Sequence, residues 1–398
     1  MKKLKSLGAI LLCIVMLAGI LSACSPQGPN EAPAQTSAEA STEASTDSSA
    51  EAPTESADGG YRIGLSTAVW GNTWSAAYVK DFEEAAEDYK AQGLISDYQV
   101  ATSASDLTQQ INDCTAMINK GLDALLIWPV SAEGIKPIVD LAKEKGVLVL
   151  TCNDPAAFEG TYGVFSNNEA FMKIITNWFV EQLGGKGDII QIAGIFGHPA
   201  NEPRQAVVDG ILADYPDIKT LATGEGKYSA TEAQSVMTTF LSTYSKIDGV
   251  LTQDVMSVGI LNAYKNAGIE PTLVTGDYTK EYIDMWASMP NLNSITVTVS
   301  PGIIKDALGI ALDLLQGKTF KDGVLQPNPM NPDLVNTIIR DPAYVVTREG
   351  DQNAPWMEGL NGSKAITLDQ AVDLVKDMEN TDCLDGWLSQ DEIHAYFN

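Results

Sequence analysis

From residue 61 onward the apolar positions alternate between two rhythms. "YRIGLST" at 61–67 is a compact apolar run that predicts a strand, and the next stretch sets Ala76, Val79, Phe82, Ala86 and Tyr89 at helical spacing. "DYQVAT" predicts a second strand, followed by Leu107, Ile111, Cys114 and Ile118 on one helical face. "LDALLIW" and "GVLVLTC" are apolar throughout, the signature of strands whose sheet is covered on both faces, and the helix "AEGIKPIVDLAKEK" lies between them.

After "TYGVFSNN" the alternation restarts. A helix carries Phe171, Ile174, Ile175, Trp178 and Phe179. The strand "DIIQIAG", a helix from about Asn201, the strand "IKTLAT" and a helix around "EAQSVMTTFLSTY" follow. "DGVLTQ", a helix to "AYKNAG", "TLVTGD", a helix with Met285, Trp286 and Met289, and "SITVTV" complete the second run, before a helix on Ile304, Ala307, Leu308, Ala311, Leu312 and Leu315. Two successive sets of βα units predict an α/β protein with two doubly wound parallel sheets.

The first residues, "MKKLKSLGAILLCIVMLAGILSAC", place a basic start, an apolar run and small residues ahead of Cys24, the layout of an export signal. "LSAC" resembles the bacterial lipobox, which makes Cys24 the expected lipidation site at the end of a 1–24 signal peptide. Residues 25–60 are nearly all Ala, Ser, Thr, Glu, Pro and Gly, too poor in apolar groups to build a core, and are expected to form a disordered tether. The net charge is −27 with no cluster of Lys and Arg after the signal, which excludes nucleic acid as a partner. Of the five cysteines, Cys114, Cys152 and Cys383 remain in the body, too few and too scattered for a disulfide framework.

Open parallel sheets bind ligands beyond the carboxyl ends of their strands. Those ends carry Ser66, Trp70, Asn72 and Trp74 in "STAVWGNTW", Trp128, the pair Asn153 and Asp154, Asn201 and Arg204, Asp254, and Asp277. Indoles lie flat against the apolar face of a ring, amides offer donor and acceptor, and carboxylates take paired hydroxyl hydrogen bonds. Helix capping and packing beneath a loop are the competing roles for the same residues. Trp178 and Trp286 sit on apolar helical stripes and belong to the core.

Neither histidine, His198 or His394, completes a catalytic triad or a metal set, although His198 falls in a cleft loop. "GEGKYS" lacks the first glycine and the hydroxyl residue of a phosphate loop. "DGWLSQDEI" resembles half a calcium loop through Gly386 and Glu392, but Thr381 and Cys383 stand where Asp or Asn ligands are expected, and a helix start is the better account. No catalytic residue, metal or cofactor is called for.

The body, from about residue 61 to 347, resembles the type I periplasmic binding proteins, in the sugar-binding group that serves ABC importers. The resemblance lies in the order of "IGLSTAVWGNTWSAAYVKDFEEAAE", "GLDALLIWPVSAEGI", "GVLVLTCND", "FSNNEAFMKII", "DGVLTQDVMSVGILNAYKNAG" and "LVTGDY". It implies stacking by Trp74 beside Asn72, and polar ligand contacts from Asn153 or Asp154, Arg204, Asp254 and Asp277. Trp128 and Val299 or its neighbour stand where ribose binders carry Asn and Gln, so the resemblance implies a sugar or related cyclic polyol other than ribose; the carboxylates and indoles at the strand ends also suit an amino-polyol. The resemblance also implies an N-terminal lobe of 61–165 and 300–330 and a C-terminal lobe of 166–299 and 331–347, joined by a hinge of three crossovers near 165–167, 299–301 and within 325–345. Residues 348–398 are expected as a helical extension packed across the lobes or hinge, or contacting a transporter. The implied protein is a monomeric, lipid-anchored extracytoplasmic receptor that hands its ligand to an ABC permease. A sensor presenting its closed form to a membrane histidine kinase, and a secreted α/β enzyme using Asp154 or Asp277, are the alternatives.

Overall fold

The computed structural model describes residues 59–68, 71–198 and 200–398, so Cys24, nearly all of the tether and Trp70 lie outside the described residues. The first alternating run folds as β1 (Tyr61–Thr67), α1 (Thr73–Ala91), β2 (Ile95–Thr102), α2 (Leu107–Asn119), β3 (Ala124–Ile127), α3 (Lys136–Lys145), β4 (Leu148–Cys152) and β5 (Thr161–Ser166). Side by side in the order β5-β4-β3-β1-β2, all five are parallel. All of β3 is buried, as a strand covered by helices on both faces must be. Local signals fix the helix ends. Asn72 caps α1 with a reciprocal bond to Ser75, and α3 opens on Pro137 and stops at Gly146, whose φ of 70° suits a residue without Cβ.

The second run folds as α4 (Asn168–Leu183), β6 (Gly187–Ala193), α5 (Asn201–Ala213), β7 (Ile218–Glu225), α6 (Ala230–Thr243), β8 (Gly249–Thr252), α7 (Ser257–Ala267), α8 (Lys280–Ala287) and β9 (Thr296–Val297). β7, β6 and β8 form a parallel sheet. "TLVTGD" follows β8 in parallel, yet joins it by the single bridge Val250–Val274 and not by a ladder. The Thr275 hydroxyl takes the ladder's place, accepting from Thr252 N at 2.7 Å and donating to Thr252 O at 2.9 Å. The last strand of the run, β9, is only two residues long and pairs antiparallel with Val345 and Val346 further along the chain.

The chain then forms α9 (Ile303–Leu315), which packs on α1 and on β3, β4 and β5, and the hairpin β10 (Gln326–Asn328) and β11 (Asn331–Arg340). The hairpin corrects the sequence-based boundary. Residues 331–340, expected in the C-terminal lobe, form β11, whose Thr337–Arg340 pair in parallel with β5 while its other residues pair with β10, extending the first sheet to seven strands. Pro327 lies on the edge strand β10, Pro329 in the turn and Pro332 near the start of β11 ahead of the residues that pair with β5, so no proline N–H is missing from the parallel ladder. Side-chain amides lock it in place, Asn336 donating to Thr161 O at 2.8 Å and Asn328 to Ala156 O at 3.1 Å.

Three passages of chain, at 166–168, 298–302 and 340–343, connect the two assemblies and surround a small cavity of about 10 Å³ lined by Asn167, Val299, Ser300, Arg340 and Asp341. Beyond the third, β12 (Tyr344–Thr347) joins β9 and β13 (Lys364–Thr367) in a small sheet; a 3-10 turn (Pro355–Met357) lies between β12 and β13. The tail is therefore not purely helical. Its α10 (Leu368–Val375) packs on α8, and its α11 (Gln390–His394) packs on α9, so it touches both assemblies. Cys114, Cys152 and Cys383 are free and buried, and burial pushes the Cys114 thiol up to about 11 and the Cys152 thiol up to about 12.

Candidate functional site: a cleft between two sets of strand ends

The carboxyl ends of the two parallel sheets face a common cleft lined by both aromatic and polar side chains, the mixture a small-molecule site needs. Asn72, Trp74, Trp128, Asn153 and Asp154 line it from one side, Asn168, His198, Arg204, Lys227, Tyr228 and Asp254 from the other, and Val299 from a crossover.

The first wall is aromatic. Trp74, in the first turn of α1, stacks on Tyr78 with centroids 5.2 Å apart and meets Trp128 edge-on at 5.4 Å. Each indole N–H is committed. Trp74 Nε1 donates to Val299 O at 2.6 Å, and Trp128 Nε1 donates to Asp154 Oδ2 at 2.7 Å. Those bonds fix the ring planes, so the two indoles meet a ligand in set orientations. Gln110 holds the turn after β3 from behind, donating to Trp128 O at 2.8 Å and accepting from Val130 N at 2.8 Å. Burial raises the Asp154 carboxyl above its usual range, while His198, the Trp128 N–H and Arg204 pull the other way.

The opposite wall is a charged network. Arg204, on α5, donates through Nε to Asn168 Oδ1 at 2.8 Å and through Nη1 to Asp254 Oδ2 at 3.1 Å. Its guanidinium lies 4.7 Å from the Phe171 ring centre and 5.8 Å from that of Tyr228. Asp254 also accepts from Tyr278 Oη and from Val255 N. Burial opposes the charge of Arg204, but its surroundings, with the Asp254 carboxylate as its ion-pair partner, more than offset this, so the guanidinium is held ionised above its ordinary range. Burial pushes the Tyr228 phenol up to about 12, which keeps it a neutral donor.

Backbone strain collects here. Asn153, Lys227, Tyr228 and Asp254 line the cleft with φ of 65°, 56°, 51° and 56°, a conformation non-glycine residues seldom adopt. Each follows a strand end, where the left-handed residue turns the chain so that its neighbours face the opening.

Three expected site residues point elsewhere. Ser66 Oγ accepts from Gln110 Nε2 at 3.1 Å, beneath the aromatic wall. Asn201 Oδ1 accepts from Gly194 N at 2.9 Å and Gln253 Nε2 at 3.1 Å, tying α5 to the turn after β6. Asp277 caps its own turn by accepting from Thr279 N at 2.7 Å and lines a neighbouring cavity, and burial pushes its carboxyl up to about 7. Asn168, Lys227 and Tyr228 were missed. The strand-end rule that found the others also covers them, since β5 precedes Asn168 and β7 precedes "GKYS". His198, which the sequence placed in a cleft loop, lines the opening.

What the arrangement does chemically is present ring faces, hydroxyl and amide hydrogen-bonding groups, and a matched ion pair. Among the described residues no group of three or more His, Cys, Asp or Glu side chains is placed to hold a metal. No helix among the described residues is long and apolar enough to cross a membrane.

Comparison with known proteins agrees with this geometry. The chain is 28% identical over 260 residues to a xylitol-binding protein of Mycolicibacterium smegmatis, covering 57% of this chain and 74% of that one. It is 27% identical over 272 residues to a ribose import binding protein of Bacillus subtilis, covering 67% and 86%. Among solved structures, an ABC transporter solute binding protein from Thermobispora bispora superposes with a TM-score of 0.63 at 24% identity, covering 83% of this chain and 99% of that one. Residues 63–319 match the family of the periplasmic binding protein domain, and with two parallel sheets joined by three crossovers and facing one cleft, this chain belongs to that family, in its type I fold.

Proposed function

We propose that this protein is an extracytoplasmic receptor that binds a sugar or related polyol between two hinged lobes and delivers it to an ABC importer without altering it. One observation carries the reading: Trp74 and Trp128 on one side, and Asn168, Arg204 and Asp254 on the other, converge on a single cleft. Stacking supplies contact area for a ring or a carbon chain, and the amides, the carboxylates and Arg204 supply directional bonds to hydroxyls. Asp254 is matched by Arg204 inside the wall, so the site suits a neutral polyhydroxylated molecule better than a phosphorylated one. The names of the relatives, a xylitol binder and a ribose binder, support the same class.

Closure follows from the connections. Three short passages leave each sheet rigid and concentrate motion at 166–168, 298–302 and 340–343. Trp74 reaches across to the second of these through Val299 O, so a ring seated on the indole also presses on the hinge. Cys24 serves as lipid anchor, residues 25–60 as tether, and the receptor acts as a monomer.

The test is a titration of intrinsic tryptophan fluorescence with xylitol, D-ribose, L-arabinose, D-galactose and myo-inositol. A saturable change with micromolar or tighter affinity for at least one is the expected outcome. A flat response to all five, from protein shown to be folded, overturns the reading.

A further inference from the structure

The tail makes a fourth passage between the two assemblies. After α10, which sits on α8, residues 380–384 run along 278–281: Glu281 N donates to Asn380 O at 3.1 Å, Lys280 N to Asp382 O at 2.9 Å, and Leu384 N to Tyr278 O at 2.7 Å. The next residues attach to the other assembly. Asp385 Oδ2 accepts from Gly302 N at 2.7 Å, and Leu388 N donates to Asp306 Oδ1 at 2.6 Å, both at the start of α9. Beyond them α11 lies on α9, with His394 Nδ1 against Asp313 Oδ2 at 2.6 Å.

This strap also touches the hinge itself. Gly386 lines the small cavity among the crossovers, and a Cβ on it would sit 2.5 Å from the Ala343 Cβ of the third passage, closer than real Cβ contacts come. Only glycine lets the strap lie that near. Lys80, on α1, adds an ion pair to Asp382 at 3.3 Å.

The strap meets the cleft through one side chain. Tyr278, whose backbone carbonyl receives Leu384 N, donates its hydroxyl to Asp254, the acid that pairs with Arg204. Tyr278 is completely buried, its carbonyl is bonded to the strap and its hydroxyl to Asp254, so one residue joins the strap to the charged wall.

We propose that residues 380–388 act as a fourth hinge strand that restrains opening of the lobes and, through Tyr278, positions Asp254 for the ligand. Three crossovers alone bend freely, whereas a strap bonded at both ends must slip or stretch when the lobes part. Ligand release is then slowed by the strap, and Tyr278 is a positioning residue. The ligand half of this inference rests on the function proposed above; the restraint half does not.

The test uses the full chain with Asp385→Ala and, independently, Gly386→Ala, which removes the anchor in one case and wedges the strap off the third crossover in the other. Amide hydrogen exchange of the ligand-free protein is the first readout. Exchange is expected to rise at least tenfold at 302–304 and also at 278–281, on the opposite assembly, with Asp385→Asn restoring most of the protection. The second readout is stopped-flow fluorescence with whichever of the five sugars and polyols binds. There Asp385→Ala and Tyr278→Phe are each expected to speed dissociation about tenfold, Tyr278→Phe with protection at 302–304 unchanged. Faster exchange confined to 302–304 in both strap variants overturns the restraint. Unchanged dissociation in Tyr278→Phe overturns the positioning role. If no sugar or polyol binds, the exchange arm still decides the strap.

Discussion

Replacing Arg204 by Met tests the charged wall most sharply, because it leaves Asp254 in a dry site without its cation. Arg204 is 3% exposed and Asp254 7% exposed, and their atoms approach to 3.1 Å. At an effective dielectric of about 20 the attraction across that distance is about 5 kcal/mol. Removing one partner of a buried pair costs about 3–5 kcal/mol, since the remaining charge stays desolvated. Asp254 keeps its bonds from Tyr278 Oη and Val255 N, which favours the lower end, about 3 kcal/mol. Urea unfolding at neutral pH measures this, and a parallel thermal melt is expected to drop by roughly 6 °C. The decisive comparison is the double variant Arg204→Met with Asp254→Asn. Asn tolerates the left-handed backbone at position 254, accepts from Tyr278 and carries no charge, so the double variant is expected to recover most of the lost stability while binding no ligand. A single variant within about 1 kcal/mol of the parent, or a double variant less stable than the single, refutes the electrostatic reasoning.

The other predictions concern the aromatic wall, the buried acid and the anchor. Trp128→Phe keeps a ring but removes the donor to Asp154, and ligand affinity, read by calorimetry, is expected to fall about tenfold with the fold intact. Trp74→Ala removes a stacking face together with the bond to Val299, and is expected to weaken binding by about 2–3 kcal/mol or more in the same assay. The Asp277 carboxyl, raised to about 7 by burial, binds its proton more tightly folded than unfolded; its stabilising contribution is complete below the ordinary carboxylate range and is lost as pH rises through about 7. Asp277→Asn is therefore expected to flatten the decline of melting temperature between about pH 4 and 7. Cys24→Ser is expected to move the protein from the membrane fraction to the soluble extracytoplasmic one, as read by fractionation.

The alternating runs were legible because strand and helix periods differ so plainly, and the buried β3 and β4 read as such from apolar residues alone. What stayed hidden had local causes. The β10–β11 hairpin was masked by its prolines, and "TLVTGD" lost its ladder to the Thr275 side chain. At the site, strand ends gave the place of each residue but not its direction. Trp74, Trp128 and Arg204 turn into the cleft, whereas Ser66, Asn201 and Asp277 turn back to hold Gln110, the turn after β6 and their own loop. Tyr278 was invisible for another reason: a tyrosine beside a helix start reads as packing, and only its hydroxyl on Asp254 links it to the site.

Determining the structure of the protein with its best-binding sugar or polyol addresses the central claim most directly. The account predicts the ligand between Trp74 and Trp128 on one side and Arg204, Asp254 and Asn168 on the other, chemically unchanged and enclosed by both lobes. A ligand bound outside that cleft, or held by one sheet's strand ends with the other set turned away, contradicts it.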